Sequence, residues 1–318
     1  MIRRCHTDVR RRQGRAVQIP AQGRVHEWVT QDGDWKIQRF RPRQREAGIG
    51  GLKLDATPHA PARIEYGPDA QNYGILRVPR ASGFHPVVVV IHGGFWRAFY
   101  DLTYIEPVCE VLTDAGLATW NIEYRRIGNG GGFPATFHDV ALAVDYLRKL
   151  APIYNLDLSR VVTLGHSAGG HLALWVAARH RIPKDDLILL RNSVPIALCA
   201  AISLAGVVDL RAAYKYHLSQ QVVEELVGGS PQRMLERYAV ASPSELLPLG
   251  VPQILVHGTA DGNVPFEISR AYHAAAVAQG DDAKLVPLPG AGHFEYVDPH
   301  SREWAVVKNV VLLSVGLQ

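Results

Sequence analysis

The sequence predicts an α/β fold: a mostly parallel sheet covered by helices on both faces, forming a three-layer sandwich with a small cap insertion. Strand-like apolar runs alternate with helical patterns over about 250 residues, which is typical of parallel strands joined by crossover helices. The run at residues 86–91, PVVVVI, is apolar throughout. A strand of that composition is expected to be buried on both faces, at the centre of a parallel sheet.

The other elements follow in order along the chain. Residues 64–79 contain two short β patterns around Gly67-Pro68-Asp69, which indicate a hairpin at the start of the sheet. Strands are predicted over residues 117–124, 161–164, 196–204, 252–257 and 284–288. Helices are predicted over residues 101–116, 136–150, 266–280 and 304–317, and directly after Ser167. Residues 211–247 are only weakly helical, interrupt the alternation and are interpreted as the cap.

The first 50 residues differ from the rest in composition. They carry twelve Lys and Arg against five Asp and Glu, which leaves 22 basic and 25 acidic residues in the remainder of the 318-residue chain. We therefore predict a basic N-terminal extension over residues 1–50 and a catalytic domain over residues 51–318, with no nucleic-acid partner for that domain. Residues 25–40 have β character that indicates a hairpin about Asp32-Gly33. The extension is open to three interpretations: a flexible tail, an accessory arm packed on the domain, or a tail that binds nucleic acid or membrane.

Several classes of function are disfavoured by what the sequence lacks. Cys5, Cys109 and Cys199 are far apart and odd in number, which argues against a disulfide framework or a cysteine-rich metal site. The glycine-rich stretch at residues 128–132 lacks the strand and helix of a nucleotide-binding turn, so it is interpreted as a mobile edge of the site. We expect no cofactor, no metal and no transmembrane helix. Without an apolar signal segment, the expected location is cytoplasmic.

The motif that carries chemistry is Gly165-His166-Ser167-Ala168-Gly169. A short β-branched run precedes it and an Ala/Leu-rich helical pattern follows it. In a strand, sharp turn and helix of this kind, the serine lies at the apex with its Oγ exposed. The amide of Ala168 then opens the helix and points toward whatever Ser167 attacks. The motif predicts a nucleophilic serine.

A serine hydroxyl needs a base, and the base needs an orienting acid. In chain order the candidates are Ser167, Asp261 and His293, each in a loop directly after a predicted strand. Because the carboxyl ends of parallel strands meet at one edge of the sheet, these side chains are expected to converge. Other carboxylates compete with Asp261 for the role of the acid, and Asp209 is the strongest of them. The competing residues are Asp209, Glu295 and Asp298.

A second glycine-containing loop, His92-Gly93-Gly94-Phe95-Trp96, follows the central strand. Two glycines there let the backbone curl with its N–H groups free, which an oxyanion hole requires. The predicted donors are the N–H groups of Gly93, Gly94 or Phe95 together with that of Ala168. His92 and Trp96 are expected to brace the loop, and Trp96 and His166 are the predicted substrate contacts. His171, one helical turn past the serine, is interpreted as structural.

These motifs carry a family resemblance over residue 64 to the C-terminus. The stretch at residues 92–96 resembles the HGGxW motif of kynurenine formamidases (arylformamidases) and their carboxylesterase relatives within the α/β-hydrolase superfamily. The stretches at residues 165–173, 257–265 and 292–294 are similar to those that carry the nucleophile, acid and histidine in that family. The opening stretch at residues 64–69 resembles that of carboxylesterases and feruloyl-esterase-like hydrolases. The resemblance implies a Ser-Asp-His triad and no cofactor.

The predicted function is hydrolysis of a carboxylic ester or an aryl formamide through an acyl-enzyme on Ser167. Kynurenine formamidase-like and short-chain carboxylesterase activities both use this apparatus, so the motifs leave them open. Three alternatives stay open: a feruloyl-esterase-like hydrolase, a peptidase-type serine hydrolase, and a catalytically silent module that binds a ligand. A small-molecule ester or amide is the expected partner.

Overall fold

The computed structural model describes residues 28–31, 34–37, 60–191 and 193–317. In the N-terminal segment, β1 (Trp28–Gln31) and β2 (Asp34–Ile37) pair antiparallel, with Trp28 opposite Ile37. This agrees with the hairpin predicted about Asp32-Gly33, whose turn residues lie outside the described ranges. The three interpretations of residues 1–50, and the boundary at residue 50, fall mostly outside those ranges and stay predictions.

The main body is built on an eight-stranded sheet. Its strands are β3 (Ala62–Glu65), β4 (Tyr73–Arg77), β5 (His85–Ile91), β6 (Ala118–Ile122), β7 (Leu156–His166), β8 (Ala200–Leu204), β9 (Gln253–Gly258) and β10 (Ala283–Leu288). Their order across the sheet is β10-β9-β8-β7-β5-β6-β4-β3. The pairs of β4 with β3 and with β6 are antiparallel, and the other neighbours are parallel. The predicted mostly parallel sheet is therefore confirmed.

Helices cover both faces of this sheet. They are α1 (Glu106–Asp114), α2 (Ala135–Asp145), α3 (Leu147–Tyr154), α4 (Ala168–Ala178), α8 (Phe266–Ala278) and α9 (Arg302–Ser314), with α5 (Leu210–Lys215), α6 (Val222–Val227) and α7 (Leu235–Ala241) in the predicted cap. The core divides into two clusters. One contains buried residues of α1 and α9 and the other those of α2, α3, α4 and α8. Along β5, Val87 and Val89 join the second cluster while Val88 and Val90 join the first, because successive side chains of a strand point to opposite faces.

Several predicted elements have different limits in the structure, and β7 is the longest extension, Leu156–His166 where 161–164 was predicted. The helix expected over residues 101–116 begins as a 3₁₀ turn capped by Asp101, and the α-helix starts beside Pro107, since proline favours the first helical turn. The helix expected over 136–150 is two helices. The N–H of Lys149 bonds to the carbonyl of Tyr146, only three residues back, so the chain tightens between them. The strand expected from residue 196 starts at Ala200.

No helix in the described ranges has the length and apolar character needed to cross a membrane. In the same ranges, no three His, Cys, Asp or Glu side chains are grouped as metal ligands would be.

Candidate active site

Ser167 lies at the turn between β7 and α4 with a backbone that non-glycine residues rarely adopt, φ 56° and ψ −119°. Neighbouring backbone holds it there, because Ser167 N–H donates to Leu204 O at 2.8 Å. The flanking glycines are sterically required. A Cβ on Gly165 would lie 2.0 Å from the carbonyl oxygen of Gly169, and one on Gly169 would lie 2.0 Å from that of Ile91. A strained serine at a strand-to-helix turn is the geometry of a nucleophile elbow.

Asp261 and His293 meet in the loops after β9 and β10. His293 Nδ1 lies 2.6 Å from Asp261 Oδ2, and their side chains are almost fully buried, 5% exposed for His293 and 0% for Asp261. Because a carboxylate only accepts, Nδ1 carries the proton and Nε2 is the basic nitrogen. No hydrogen bond in the described part of the chain uses His293 Nε2 or joins it to Ser167. Such contacts are often long without substrate and tighten in its presence.

The carboxylate of Asp261 is surrounded by donors. Its Oδ2 also lies 3.0 Å from the Tyr296 hydroxyl and 3.2 Å from His257 Nε2, and its Oδ1 accepts two backbone N–H groups. Burial alone would raise the pKa of Asp261, but the hydrogen bonds from His257 and His293 hold it far below its ordinary value. The carboxylate therefore stays charged and fixes the tautomer of His293. Sequence reasoning missed His257 and Tyr296. The only signal for His257 is a histidine four residues before the acid, at the end of a strand.

His166 connects the elbow to both neighbouring loops. Its Nε2 donates to the carbonyl of His293 at 2.8 Å, its Nδ1 lies 2.9 Å from the Tyr104 hydroxyl, and its ring lies 4.6 Å from that of His293. Burial is the main cause that lowers the pKa of His166 to about 3, so the ring is neutral. Nδ1 therefore accepts from Tyr104. Tyr104 was missed because nothing in the sequence marks a contact across 62 positions.

The predicted oxyanion loop is held from both sides. The N–H of Gly93 donates to the Tyr104 hydroxyl at 2.6 Å, and His92 Nδ1 lies 2.8 Å from the carbonyl oxygen of Gly93. Gly93 N–H is thus already used within the protein, which argues against its predicted role as an oxyanion donor. Gly94 and Phe95 are partly exposed and have φ of 104° and 53°, a left-handed turn of the kind that exposes N–H groups.

Ala168, the fourth predicted donor, is the first residue of α4. Its N–H belongs to the first helical turn, where donors have no partner within the helix. It also follows Ser167 directly, as the second donor of an oxyanion hole does at a nucleophile elbow. Among the residues that the structure describes, the N–H groups of Gly94, Phe95 and Ala168 form no hydrogen bond outside a helix, so these three remain the candidate donors.

The two predicted substrate contacts are buried. Trp96 is 0% exposed and its indole N–H donates to His171 Nδ1 at 3.2 Å, while His166 is 1% exposed. His171 in turn donates through Nε2 to the carbonyl of Ala241, at the end of α7. Trp96 has a left-handed φ of 54°, and its ring lies in the core. The indole N–H of Trp96 and both ring nitrogens of His166 are bonded within the protein, which favours the bracing role expected of Trp96. Their contact with substrate stays a prediction.

The competing acids serve their own loops. Asp209 caps α5, where its carboxylate accepts from the N–H of Ala212 at 2.9 Å. Asp298 accepts from the N–H of His300, and Glu295 from that of Phe294. Among the candidate carboxylates, Asp261 is the one that contacts His293.

Comparison with known proteins identifies the family of this chain. Residues 75–275 match the BD-FAE family of α/β-hydrolase-type esterases. The chain belongs to the BD-FAE family. The match spans β4 to α8 and includes Ser167 and Asp261, while His293 lies beyond it.

Curated relatives of this family member include esterases. Esterase LipQ of Mycobacterium tuberculosis is 28% identical over 264 residues, which cover 78% of this chain and 62% of LipQ. A probable isoprenylcysteine alpha-carbonyl methylesterase, ICMEL1 of Arabidopsis thaliana, is 24% identical over 249 residues, covering 74% of this chain and 51% of the relative. The chain thus spans between half and two thirds of the length of these relatives.

Solved structures of similar fold also include esterases. A bifunctional GH43-CE protein of Bacteroides eggerthii has a TM-score of 0.68 at 25% identity, over 80% of this chain and 38% of the other. Propionate-bound Est2, a thermophilic esterase of Thermogutta terrifontis, has a TM-score of 0.66 at 22% identity, over 83% and 98%. With these neighbours, the predicted three-layer α/β-hydrolase sandwich is confirmed.

Proposed function

We propose that this BD-FAE member is a serine carboxylesterase that cleaves small esters through an acyl-enzyme on Ser167. The observation that carries the proposal is the strained elbow at Ser167, whose neighbour His166 contacts His293, together with the buried His293–Asp261 pair. In the described residues, no hydrogen bond uses His293 Nε2. Membership in a family of esterases and the 28% identity to LipQ support ester hydrolysis. The kinds of acyl and leaving group remain proposals.

The acylation step follows from the positions of these groups. Ser167 Oγ attacks the acyl carbon while His293 Nε2 takes the hydroxyl proton, and Asp261 stabilises the imidazolium that forms. The N–H groups of Gly94 and Ala168 donate to the oxygen that becomes negative. Collapse of the tetrahedral intermediate breaks the bond to the leaving group, which departs with the proton from His293.

Deacylation repeats the sequence with water. His293 Nε2 removes a proton from the water that attacks the acyl-enzyme, the same N–H groups hold the new oxyanion, and the proton returns to Ser167 Oγ as the acid leaves. Atoms and charge balance without a further reactant. No step needs a cofactor.

An aryl formamide is the second candidate substrate. The resemblance of residues 92–96 to the HGGxW motif of kynurenine formamidases supports it, as does the burial of Ser167, which is only 2% exposed. Formyl is the smallest acyl group, and a nearly closed serine favours small acyl groups over large ones. Both substrates use the same attack and the same oxyanion donors.

One experiment tests the mechanism and separates the substrates. Purified full-length protein is assayed with p-nitrophenyl acetate, p-nitrophenyl butyrate and N-formylkynurenine, and kcat/KM is compared. We expect the esters to be hydrolysed and Ser167→Ala to lose about 10⁴-fold or more in kcat with every substrate that is turned over. A much higher kcat/KM for N-formylkynurenine than for the esters establishes the formamidase instead.

Ser203 supplies a matched control. It is a buried serine on the neighbouring strand β8 whose Oγ has no hydrogen-bond partner, so Ser203→Ala is expected to leave kcat unchanged. Equal activity of Ser167→Ala and Ser203→Ala contradicts the proposed nucleophile. Failure of the wild type to react with a fluorophosphonate probe favours the silent binding module.

A further inference from the structure

A second buried histidine–carboxylate pair lies beneath the oxyanion loop. His92 Nε2 is 2.9 Å from Glu123 Oε1, and both side chains are 0% exposed. The other ring nitrogen, Nδ1, is 2.8 Å from the carbonyl oxygen of Gly93. The ring stacks on Tyr124 with centroids 4.5 Å apart. The pair stands apart from Ser167, Asp261 and His293, and the mechanism above makes no use of it.

Every partner of Glu123 is a donor. The N–H groups of Tyr124 and Leu102 donate to its carboxylate at 2.8 and 3.3 Å, and the Arg126 guanidinium lies 3.1 Å away. Burial alone would raise the pKa of Glu123, but His92, Arg126 and the backbone donor hold it below its ordinary value. Glu123 is therefore a carboxylate and has no proton to give to His92.

The protonation state of His92 follows from these contacts. Its Nε2 faces a carboxylate and its Nδ1 faces a carbonyl, and neither oxygen carries a hydrogen. Both contacts are hydrogen bonds only if both ring nitrogens carry protons, which makes His92 an imidazolium. Burial of this cation is offset by the charge of Glu123.

The peptide that His92 contacts is the one that supplies an oxyanion donor. The carbonyl of Gly93 and the N–H of Gly94 belong to the same planar trans unit and point in opposite directions. A charged donor on the carbonyl fixes that plane and polarises the N–H at its other end, since hydrogen bonds in a chain strengthen one another. Tyr104 takes the N–H of Gly93, so both polar groups of this glycine are fixed by side chains.

We propose that His92, held as an imidazolium by Glu123, is a positioning residue that orients and polarises the Gly93–Gly94 peptide so that Gly94 N–H stabilises the oxyanion. This rests on the proposed function, because the oxyanion forms only if Ser167 is acylated. His92 does not touch the substrate and exchanges no proton with it.

Charged groups of both signs surround His92. Two carboxylates act on it, Glu123 directly and Asp101 by its charge, and the Arg126 guanidinium contacts the same Glu123 Oε1 that His92 contacts. The remaining titratable neighbours are two tyrosines, Tyr124 in the stack and Tyr104 edge-on at 6.5 Å.

The first test reads protonation directly and needs no activity. Full-length protein with ¹⁵N-labelled histidine is examined by two-dimensional ¹H–¹⁵N spectroscopy of the imidazole rings near neutral pH, and the His92 signals are assigned by their loss in His92→Gln. We expect two protonated ring nitrogens for His92. One unprotonated nitrogen overturns the proposal, whether or not the protein hydrolyses esters.

The second test reads catalysis. Glu123→Gln keeps the shape of the side chain and removes the charge that holds the proton on His92. We expect kcat with p-nitrophenyl acetate to fall about 10- to 100-fold, less than the 10²–10³-fold of losing an oxyanion donor outright. KM is expected to change by less than about threefold, because substrate binds before the oxyanion forms. His92→Gln, which donates without charge, is expected to behave in the same way and serves if Glu123→Gln does not fold.

A control variant elsewhere in the fold distinguishes a positioning role of His92 and Glu123 from a merely structural one. Asp145 is a largely buried carboxylate that pairs with Arg179 at 2.8 Å, so Asp145→Asn removes a comparable ion pair. We expect it to lower the free energy of unfolding while kcat of the folded protein stays within about twofold. An unchanged kcat in folded Glu123→Gln and His92→Gln overturns the proposal, and so does an equal loss in Asp145→Asn.

Discussion

One histidine–carboxylate pair lies on each side of Ser167. The two pairs differ in what the second ring nitrogen of the histidine contacts. His293 Nδ1 bonds to Asp261 at 2.6 Å and its Nε2 has no hydrogen bond in the described residues. His92 Nε2 bonds to Glu123 at 2.9 Å and its Nδ1 bonds to the carbonyl of Gly93. One ring has a nitrogen open for a proton, and the other has both nitrogens committed to acceptors.

The difference shows that a buried carboxylate beside a histidine does not by itself make a general base. Each carboxylate accepts several donors, and each histidine is almost fully buried. A base must also present a nitrogen to the proton it removes, and only His293 does so. From this comparison we propose that His293 exchanges protons during hydrolysis and that His92 keeps its own.

The largest expected effect concerns Asp261, the carboxylate that contacts His293. Asp261→Asn replaces an acceptor with a group that can donate, so His293 takes the wrong tautomer and Nε2 is no longer basic. We expect kcat to fall about 10⁴-fold, the loss seen when the acid of a serine triad is made an amide. Steady-state hydrolysis of p-nitrophenyl acetate measures it.

Asp209→Asn is the matched variant for that prediction. Asp209 caps α5, and asparagine caps a helix about as well as aspartate, so activity and stability are expected to change little. If Asp209→Asn loses the activity and Asp261→Asn keeps it, the acid has been assigned to the wrong loop and the comparison of the two pairs fails.

The sequence predicted Ser167, Asp261 and His293 better than it predicted the contacts around His92, for a physical reason. Ser167, Asp261 and His293 each follow a strand, so the topology of a parallel sheet alone brings them to one edge. The glycines at 165 and 169 are required by contacts within one turn. These signals are local and can be read from neighbours in the chain.

The contacts around His92 join residues far apart in the chain, and no local pattern encodes them. His92 and Glu123 are 31 positions apart, and Tyr104 and His166 are 62 apart. His92 and Glu123 meet because β5 pairs with β6 in a particular register, which apolar runs do not specify residue by residue. Tyr104 reaches His166 from the 3₁₀ turn before α1. The same limit applies to β8, whose start was placed too early. There the N–H of Ile196 donates to Asp145 at the end of α2 and not to a strand.

An effect of intermediate size, on stability, concerns His166. Its neutral ring contacts both the carbonyl of His293 and the Tyr104 hydroxyl. Its pKa is about 3 in the folded chain and 6.5 as an ordinary value. The unfolded chain therefore binds a proton below about pH 6.5 that the folded chain refuses, so stability is lost as the pH falls from there toward about 3. By about pH 5 the loss from His166 is about 2 kcal/mol.

Urea unfolding of wild type and His166→Gln near pH 7.5 and pH 5 measures this contribution. Glutamine can accept from Tyr104 and donate to the carbonyl of His293 without titrating. We expect the variant to lose about 2 kcal/mol less than the wild type between the two pH values. Parallel pH dependence in the two proteins means that His166 is protonated in the folded state, and the proposed direction of its bond with Tyr104 is then wrong.

The smallest effects compare one tyrosine hydroxyl on each side. Tyr296→Phe removes one donor from Asp261, which keeps His293, His257 and two backbone N–H groups, so we expect kcat to fall about twofold or less. Tyr104→Phe leaves the buried N–H of Gly93 without its acceptor and His166 Nδ1 without its donor. We expect about a tenfold loss in kcat, with KM little changed.

The ratio of these two losses in kcat shows whether Asp261 or the N–H of Gly93 depends more on a single tyrosine. The two changes are comparable because each deletes one buried hydroxyl and leaves the ring in place. A well-populated set of donors around Asp261 tolerates the loss of one member, whereas Tyr104 is the single partner that fixes Gly93 N–H on its side of the loop. If Tyr296→Phe costs more than Tyr104→Phe, Asp261 is held less redundantly than its contacts indicate. The oxyanion loop is then the tolerant side, and the rigidity attributed to His92 and Tyr104 contributes little to the rate.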